Sequence, residues 1–210
     1  MKIKICGMKG PENIREVAGL QPDFMGFILY QESPRFIQKN ILNSSLTTIP
    51  STIQKTGVFV NELLENVLKT GSNYSLDLIQ LHGNETAQYC QLASMNIPVM
   101  KAFALHDHFD FDEISAFQPS CTYFLFDTKT NGYGGSGKTF EWKLIEKYKL
   151  DTPFFLSGGI GLKNIETALH ISHPMFYGVD LNSKLETSPG IKNIGECKKI
   201  IELIRHYEHI

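Results

Sequence analysis

Cys6 and Asp127 are a thiol and a carboxyl far apart in the chain, and each closes a short run that reads as a strand. A thiolate is a base, and a protonated carboxyl is a general acid. Facing each other across one bound molecule, the two could move protons on and off a carbon skeleton. Period-two alternation puts Lys2, Lys4 and Cys6 on one face of the first strand and Ile3 and Ile5 on the other. The Ile face suits packing against helices, so Cys6 should point into a shared interior with the Lys4 ammonium below it. That ammonium favours the thiolate and should draw the thiol below its reference value of about 8.5. Asp127 follows Tyr123-Phe124-Leu125-Phe126. So apolar an approach should leave its carboxyl partly desolvated and raised toward a value useful for a general acid. Plainer readings stand beside these. A lone Cys is usually a small core residue, and Asp127 could cap a helix or pair with Lys129.

Two glycine-rich segments have the character of an anion cradle. One is Gly132-Tyr133-Gly134-Gly135-Ser136-Gly137, and the other is Ser157-Gly158-Gly159-Ile160-Gly161, directly after an apolar strand. Glycines let backbone N–H groups approach a phosphate closely, and a helix N-terminus adds a favourable dipole. Asn182 and Ser183, just past the last strand, are further donors. Gly134, Gly135, Ser136, Gly137, Gly158, Gly159, Asn182 and Ser183 are therefore the candidate phosphate ligands; tight turns with no ligand are the alternative. Residues 132–139 also fit G-x-x-x-x-G-K-T, the nucleotide-binding P-loop. A P-loop should leave its strand almost directly and be followed by more sheet. Here residues 128–131 intervene, and only two strand candidates follow.

The elements that must position these groups alternate along the chain. Apolar runs at 3–6, 24–29, 56–60, 76–81, 99–103, 122–126, 153–156 and 175–179 read as buried parallel strands. Helical patterns occupy 11–20, 62–70, 86–95, 139–147, 163–170 and 194–207, the last with Ile200, Ile201, Leu203 and Ile204 at helical spacing. Such alternation implies right-handed βαβ units. Eight strands in 210 residues suggest an α/β chain folded as a single (β/α)8 TIM barrel over residues 1–210. The helix between strands 5 and 6 should be short or missing. An open doubly wound sheet remains compatible with the periodicity. Cys6-Gly7, Asn61, His82-Gly83, Asp127, Ser157-Gly158-Gly159 and Asp180 all fall at strand C-termini, where barrels build their active sites. His82 is read as a substrate-binding candidate, with a satisfied structural histidine as the alternative. His106 and His108 lie in a polar loop and read as solvated.

Composition sets the outer bounds. The chain has 42% hydrophobic and 20% charged residues, with a net charge of −2, which is the profile of a globular protein. Near-neutral charge gives no general drive toward nucleic acid or an anionic membrane, so any anion site must be local. Four scattered cysteines, with no C-x-x-C pair and no zinc-like His spacing, suggest a reducing cytoplasm and no metal. The N-terminus has no apolar core of the signal-peptide kind.

The chain resembles the phosphoribosylanthranilate isomerases of tryptophan biosynthesis. The resemblance runs from Lys4-Ile5-Cys6-Gly7-Met8 through Gly26-Phe27-Ile28, Ser33-Pro34-Arg35, Gly57-Val58-Phe59-Val60-Asn61 and Gln80-Leu81-His82-Gly83. It continues with Phe126-Asp127, Gly134-Gly135-Ser136-Gly137, Phe140-Glu141-Trp142, Ser157-Gly158-Gly159, Gly178-Val179-Asp180 and Pro189-Gly190. It implies an Amadori rearrangement of N-(5-phosphoribosyl)anthranilate to 1-(2-carboxyphenylamino)-1-deoxyribulose 5-phosphate, without a cofactor. Asp127 would be the general acid, Cys6 the general base and Arg35 the anthranilate-binding residue. Asp180 would contact the sugar or tune the site. The implied partner is a small phosphorylated molecule, and both a monomer and a homodimer fit. One departure is Asn182-Ser183-Lys184-Leu185-Glu186, which has Lys184 where the family usually has Gly. Its side chain would either obstruct the backbone or bring an ammonium to the phosphate. Three other readings stay open: a P-loop nucleotide hydrolase, a non-catalytic sugar-phosphate-binding barrel, and a related isomerase using two Asp residues.

Overall fold

The computed structural model describes residues 1–128 and 142–207. Eight parallel strands close a barrel in sequence order: β1 (Lys2–Cys6), β2 (Phe24–Ile28), β3 (Gln54–Phe59), β4 (Leu78–Leu81), β5 (Val99–Leu105), β6 (Tyr123–Thr128), β7 (Phe154–Ser157) and β8 (Phe176–Leu181). Closure is made by β1 against β8, with Lys4 opposite Asp180. Each of the eight expected strands is present, and the open-sheet alternative is excluded. The helices are α1 (Pro11–Gly19), α2 (Lys39–Leu46), α3 (Leu64–Asn73), α4 (Ala87–Ser94), α5 (Ile165–Leu169) and α6 (Ile194–Tyr207). Among the described residues, no helix is long and apolar enough to cross a membrane.

Alternation along each strand sorts the side chains into two layers. Ile3, Ile5, Phe124, Phe126, Phe154, Leu156, Val179 and Leu181 face outward and pack beneath the helices. Phe24, Leu78, Met100, Leu125 and Phe155 face inward and plug the lower end of the barrel. Above that plug the inward positions turn polar: Lys4, Thr56 and Gln80 are all buried. The sealed floor is apolar and the mouth is polar, so a ligand can enter from one end only.

The connection from β5 to β6 carries no α-helix. A 3₁₀ run, Phe111–Ser120, takes its place, opened by Asp110 accepting from the Asp112 N–H at 2.9 Å. Phe111 packs edge-on against Phe126 and Tyr148 at 5.4 Å, and Phe117 against Phe103 at 5.2 Å. Aromatic packing covers the outer face of β5 and β6 where a helix would otherwise do so. After β7's neighbour β8, a short antiparallel hairpin, β9 (Glu186–Ser188) and β10 (Ile191–Lys192), crosses the mouth. The sequence reading did not foresee that hairpin, nor α2. The helix expected at 139–147 is a 3₁₀ segment, Trp142–Lys147, over its described part.

Candidate active site

One cavity at the C-terminal end of the barrel is lined by Cys6, Arg35, His82, Asp127, Gly158, Gly159, Asp180, Asn182 and Ser183. Every sequence-selected site residue within the described part of the chain is on that list. Gly134, Gly135, Ser136 and Gly137, together with the P-loop-like stretch 132–139, lie outside the described residues. Gln80, Ser157, Ile28, Val58 and Ile160 complete the lining. His106 and His108 are exposed on their loop, away from it.

Cys6 ends β1 beside Gly26 of β2, its register partner. A Cβ at position 26 would lie 2.5 Å from the Cys6 sulfur and 3.1 Å from the Lys4 nitrogen. The missing side chain is therefore the space the thiol and the ammonium occupy. Lys4 is fully buried and donates to Asp180 at 2.9 Å. Burial opposes its charge, but Asp180 and Cys6 together hold its pKa above the usual lysine value. For Cys6 the expectation of a lowered pKa is overturned. Burial of a thiol only 3% exposed pushes it up. Lys4 pulls it down but is opposed by the Asp180 carboxylate. Asp180 thus tunes the thiol through Lys4 as well as lining the cavity.

Asp127 ends β6 across the mouth. Its side chain keeps 36% of its exposure, so the desolvation expected from its apolar strand does not extend to the carboxyl. Phe124 and Phe126 face outward, whereas Asp127 lies on the inward face above Tyr123 and Leu125, at the open mouth. His82 Nε2 approaches Asp127 Oδ2 at 3.4 Å. The buried Gln80 amide lies 2.7 Å from His82 Nδ1 and fixes the ring with Nε2 toward Asp127. Gln80 stands in the Gln80-Leu81-His82-Gly83 stretch but was not selected from sequence as a site residue.

The anion cradle is built by the turn after β7. Gly158 and Gly159 have φ of +91° and +67°, a conformation that side chains resist. Asn164 closes the turn by accepting from the Gly161 N–H at 2.8 Å and donating to the Gly159 carbonyl at 3.1 Å. Opposite lie Asn182 and the 3₁₀ turn Ser183–Leu185. The bulk of Lys184 is accommodated by Gly161, where a Cβ would meet the Lys184 Cβ at 2.7 Å. The lysine stem crosses the turn outside the cavity lining and does not block it.

Arg35 is set by the turn at Ser33, whose hydroxyl accepts from the Arg35 N–H at 3.1 Å. Its guanidinium reaches the cavity but is already engaged. Nε donates to both Glu186 oxygens at 2.9 and 3.0 Å, and Nη2 donates to Oε2 at 2.7 Å. Glu186 also accepts from the buried Lys192 at 2.8 Å. Neither Glu186 nor Lys192 was selected from sequence. The signal that brings them together is Ser188-Pro189-Gly190 between them, a hairpin turn.

The sequence model of the family described as N-(5'phosphoribosyl)anthranilate (PRA) isomerase matches residues 3–203. The N-(5'-phosphoribosyl)anthranilate isomerase of Parabacteroides distasonis is 43% identical over 208 residues, covering 98% of this chain and 94% of the relative. That of Phocaeicola vulgatus is 40% identical over 194 residues, covering 92% of each. The crystal structure of phosphoribosyl anthranilate isomerase from Thermotoga maritima superposes with a TM-score of 0.87 at 31% identity, covering 98% of this chain and 99% of that one. A phosphoribosyl anthranilate isomerase solved with reduced 1-(o-carboxyphenylamino)-1-deoxyribulose 5-phosphate gives 0.84 at 27% identity, with 98% and 99% covered. The closed barrel leaves no open sheet of the kind a P-loop hydrolase needs. With the match spanning nearly the whole chain, this protein belongs to the N-(5'-phosphoribosyl)anthranilate isomerase family.

Proposed function

We propose that Asp127 and Cys6 act as general acid and general base in the Amadori rearrangement of N-(5-phosphoribosyl)anthranilate, within tryptophan biosynthesis. Asp127 gives its proton to the furanose ring oxygen. The C1–O bond breaks as the anthranilate nitrogen's lone pair forms a C=N bond, leaving a cationic Schiff base. That cation acidifies the hydrogen on C2 and, beside Cys6, favours the thiolate. The thiolate takes the C2 proton, and the electron pair moves to give the enolamine. Protonation at C1, with loss of the proton from the C2 hydroxyl, then yields the 1-amino-ketose. Atoms and electrons balance without a redox partner.

The observation that carries this reading is that Cys6, Asp127, Arg35 and the Gly158–Gly159 turn line one cavity. The two reacting groups end strands on different sides of the mouth, as two groups acting on neighbouring atoms of one sugar require. The phosphate is assigned to the N–H groups around Gly158, Gly159 and Ser183 with the Asn182 amide, and the anthranilate carboxylate to Arg35. Asp180 and His82 contact or orient the sugar and the acid. Gly134, Gly135, Ser136 and Gly137 are proposed to complete the phosphate site on sequence grounds.

The same reading extends to one domain over residues 1–210, to a cytoplasmic enzyme, supported by four free thiols, and to a monomer or homodimer. The Thermotoga maritima relative is described as dimeric. The test is consumption of freshly made phosphoribosylanthranilate, followed by fluorescence, in wild type, Cys6→Ala and Asp127→Asn. Each variant should lose at least about a hundredfold in turnover, the usual effect of deleting a general acid or base. Near-wild-type turnover in either removes its assigned role.

A further inference from the structure

Arg35 presents a difficulty for carboxylate binding. A guanidinium has five N–H donors, and Glu186 takes the Nε edge of this one in a two-pronged pair. The Arg35–Glu186 pair alone has no net charge. An incoming carboxylate would meet Nη1, but also the field of a second carboxylate just behind it. Lys192 changes this. Its ammonium is buried and bonds Glu186 Oε1 at 2.8 Å, the Asn182 side-chain oxygen at 2.8 Å and the Asn182 carbonyl at 3.3 Å. Of these partners only Glu186 is charged. Arg35, Glu186 and Lys192 together therefore carry one positive charge, and only Arg35 of the three lines the cavity. Lys9 is near but half-buried, and its ammonium donates to the Pro34 carbonyl at a solvent-exposed bond that water screens.

We propose that Lys192 is a specificity-determining positioning residue: by neutralising Glu186 from behind, it leaves Arg35 the net positive charge that selects an aryl carboxylate. This rests on the assignment of Arg35 to the anthranilate carboxylate. Its backbone is fixed for the task. Asn13 of α1 brackets residue 192, donating to its carbonyl at 2.9 Å and accepting from its N–H at 2.7 Å. The Gly190 N–H donates to Glu186 Oε1 at 3.1 Å. Burial opposes charge on both partners: Arg35 and Lys192 still hold Glu186 below the ordinary carboxylate range, whereas burial draws Lys192 below the ordinary lysine value against the opposing pull of Glu186. The Asn182 bonds orient the same amide that lines the phosphate end, so one ammonium serves both ends of the substrate.

The experiment measures binding by calorimetry of two stable probes: reduced 1-(2-carboxyphenylamino)-1-deoxyribulose 5-phosphate, and the same compound without the ring carboxylate. The readout is the ratio of their dissociation constants. Lys192→Met should shrink the preference for the carboxylated probe by roughly tenfold or more, the scale of one charge acting across a partly buried site. Any loss through Asn182 at the phosphate end falls on both probes alike and cancels in the ratio, and Lys192→Arg should keep the preference. The double variant Glu186→Gln with Lys192→Met restores a single net charge and should regain most of it, which a purely structural role would not allow. Should Lys192→Met fail to fold, Glu186→Gln alone, with Lys192 intact and an acceptor kept for Arg35, should enlarge the preference. An unchanged ratio in Lys192→Met, a double variant no better than the single, or no gain in Glu186→Gln overturns the proposal. Arg35→Met separates the two levels. If it abolishes the preference while Lys192→Met does not, the Arg35 assignment stands and only the role of Lys192 falls. If it leaves the preference intact, both fall.

Discussion

On the β1–β8 side of the mouth, Cys6 stands over a Lys4–Asp180 pair shut off from water, with the two side chains 0% and 5% exposed. On the β4–β6 side, His82 and Asp127 meet at 3.4 Å with about a third of each side chain open. Both sides pair a cationic or potentially cationic group with a carboxylate, yet the physical consequences differ. In the sealed pair each charge depends on the other, because no water can replace a lost partner. In the open pair water competes for both groups and screens the contact. The base side is thus held in a fixed electrostatic frame. The Asp127 carboxyl, by contrast, stays in contact with solvent.

The sharpest way to break this comparison is to remove one cation from each side. Lys4→Met leaves Asp180 buried without its partner and should cost roughly 3–5 kcal/mol of stability in urea unfolding. Adding Asp180→Leu should recover much of that loss. A Lys4→Met variant as stable as the wild type would mean that the pair is not sealed.

The second test uses pH. Burial raises the Cys6 thiol above its ordinary value, so the free enzyme at neutral pH holds mostly the protonated thiol. The thiolate fraction, read as the ultraviolet thiolate absorbance of the wild type less that of Cys6→Ala, should climb with pH by about tenfold per unit at most. The climb should continue past the range of an ordinary thiol, about 8.5. A profile already flat at pH 7 would show that Lys4 outweighs burial.

The smallest effect belongs to the open side. His82→Asn should cost less than about 1 kcal/mol of stability, as expected for a solvent-exposed pair, while turnover falls because the ring that faces Asp127 is lost. If it destabilises as much as Lys4→Met, the two sides are alike and the contrast drawn above is wrong.

The barrel was legible because most of its strands are runs of Ile, Val, Leu and Phe, and β1, with Lys4 and Cys6 turned inward, still shows its Ile3 and Ile5 face. Helix α6 was legible to its ends, since Ile200, Ile201 and Ile204 are buried at helical spacing. Helix α2 was not. Asn40, Asn43, Ser44 and Ser45 are poor helix formers, and the burial of Leu42 and Leu46 holds the segment instead. The helix between β5 and β6 was expected to be short or missing, and the 3₁₀ run 111–120 in its place gave no periodic signal because its packing is aromatic. The rim residues were legible from their places at strand ends. What escaped was environment. Alternation put Lys4 beneath Cys6, but not the Asp180 opposite, which the β1–β8 register supplies from 176 residues away. Burial of the thiol, and the pairing of Glu186 with Lys192, are likewise products of closure rather than of local pattern.

The gap beside Cys6 has an evolutionary corollary. It is not a defect in packing but an absent side chain on the neighbouring strand, so positions 6 and 26 share one volume. Drift at either site is conditional on the other. A lineage that exchanged the thiol for a bulkier base would have to keep glycine at 26, and one that gained even a methyl there would be selected against until position 6 had shrunk. The two codons are bound together although twenty residues separate them.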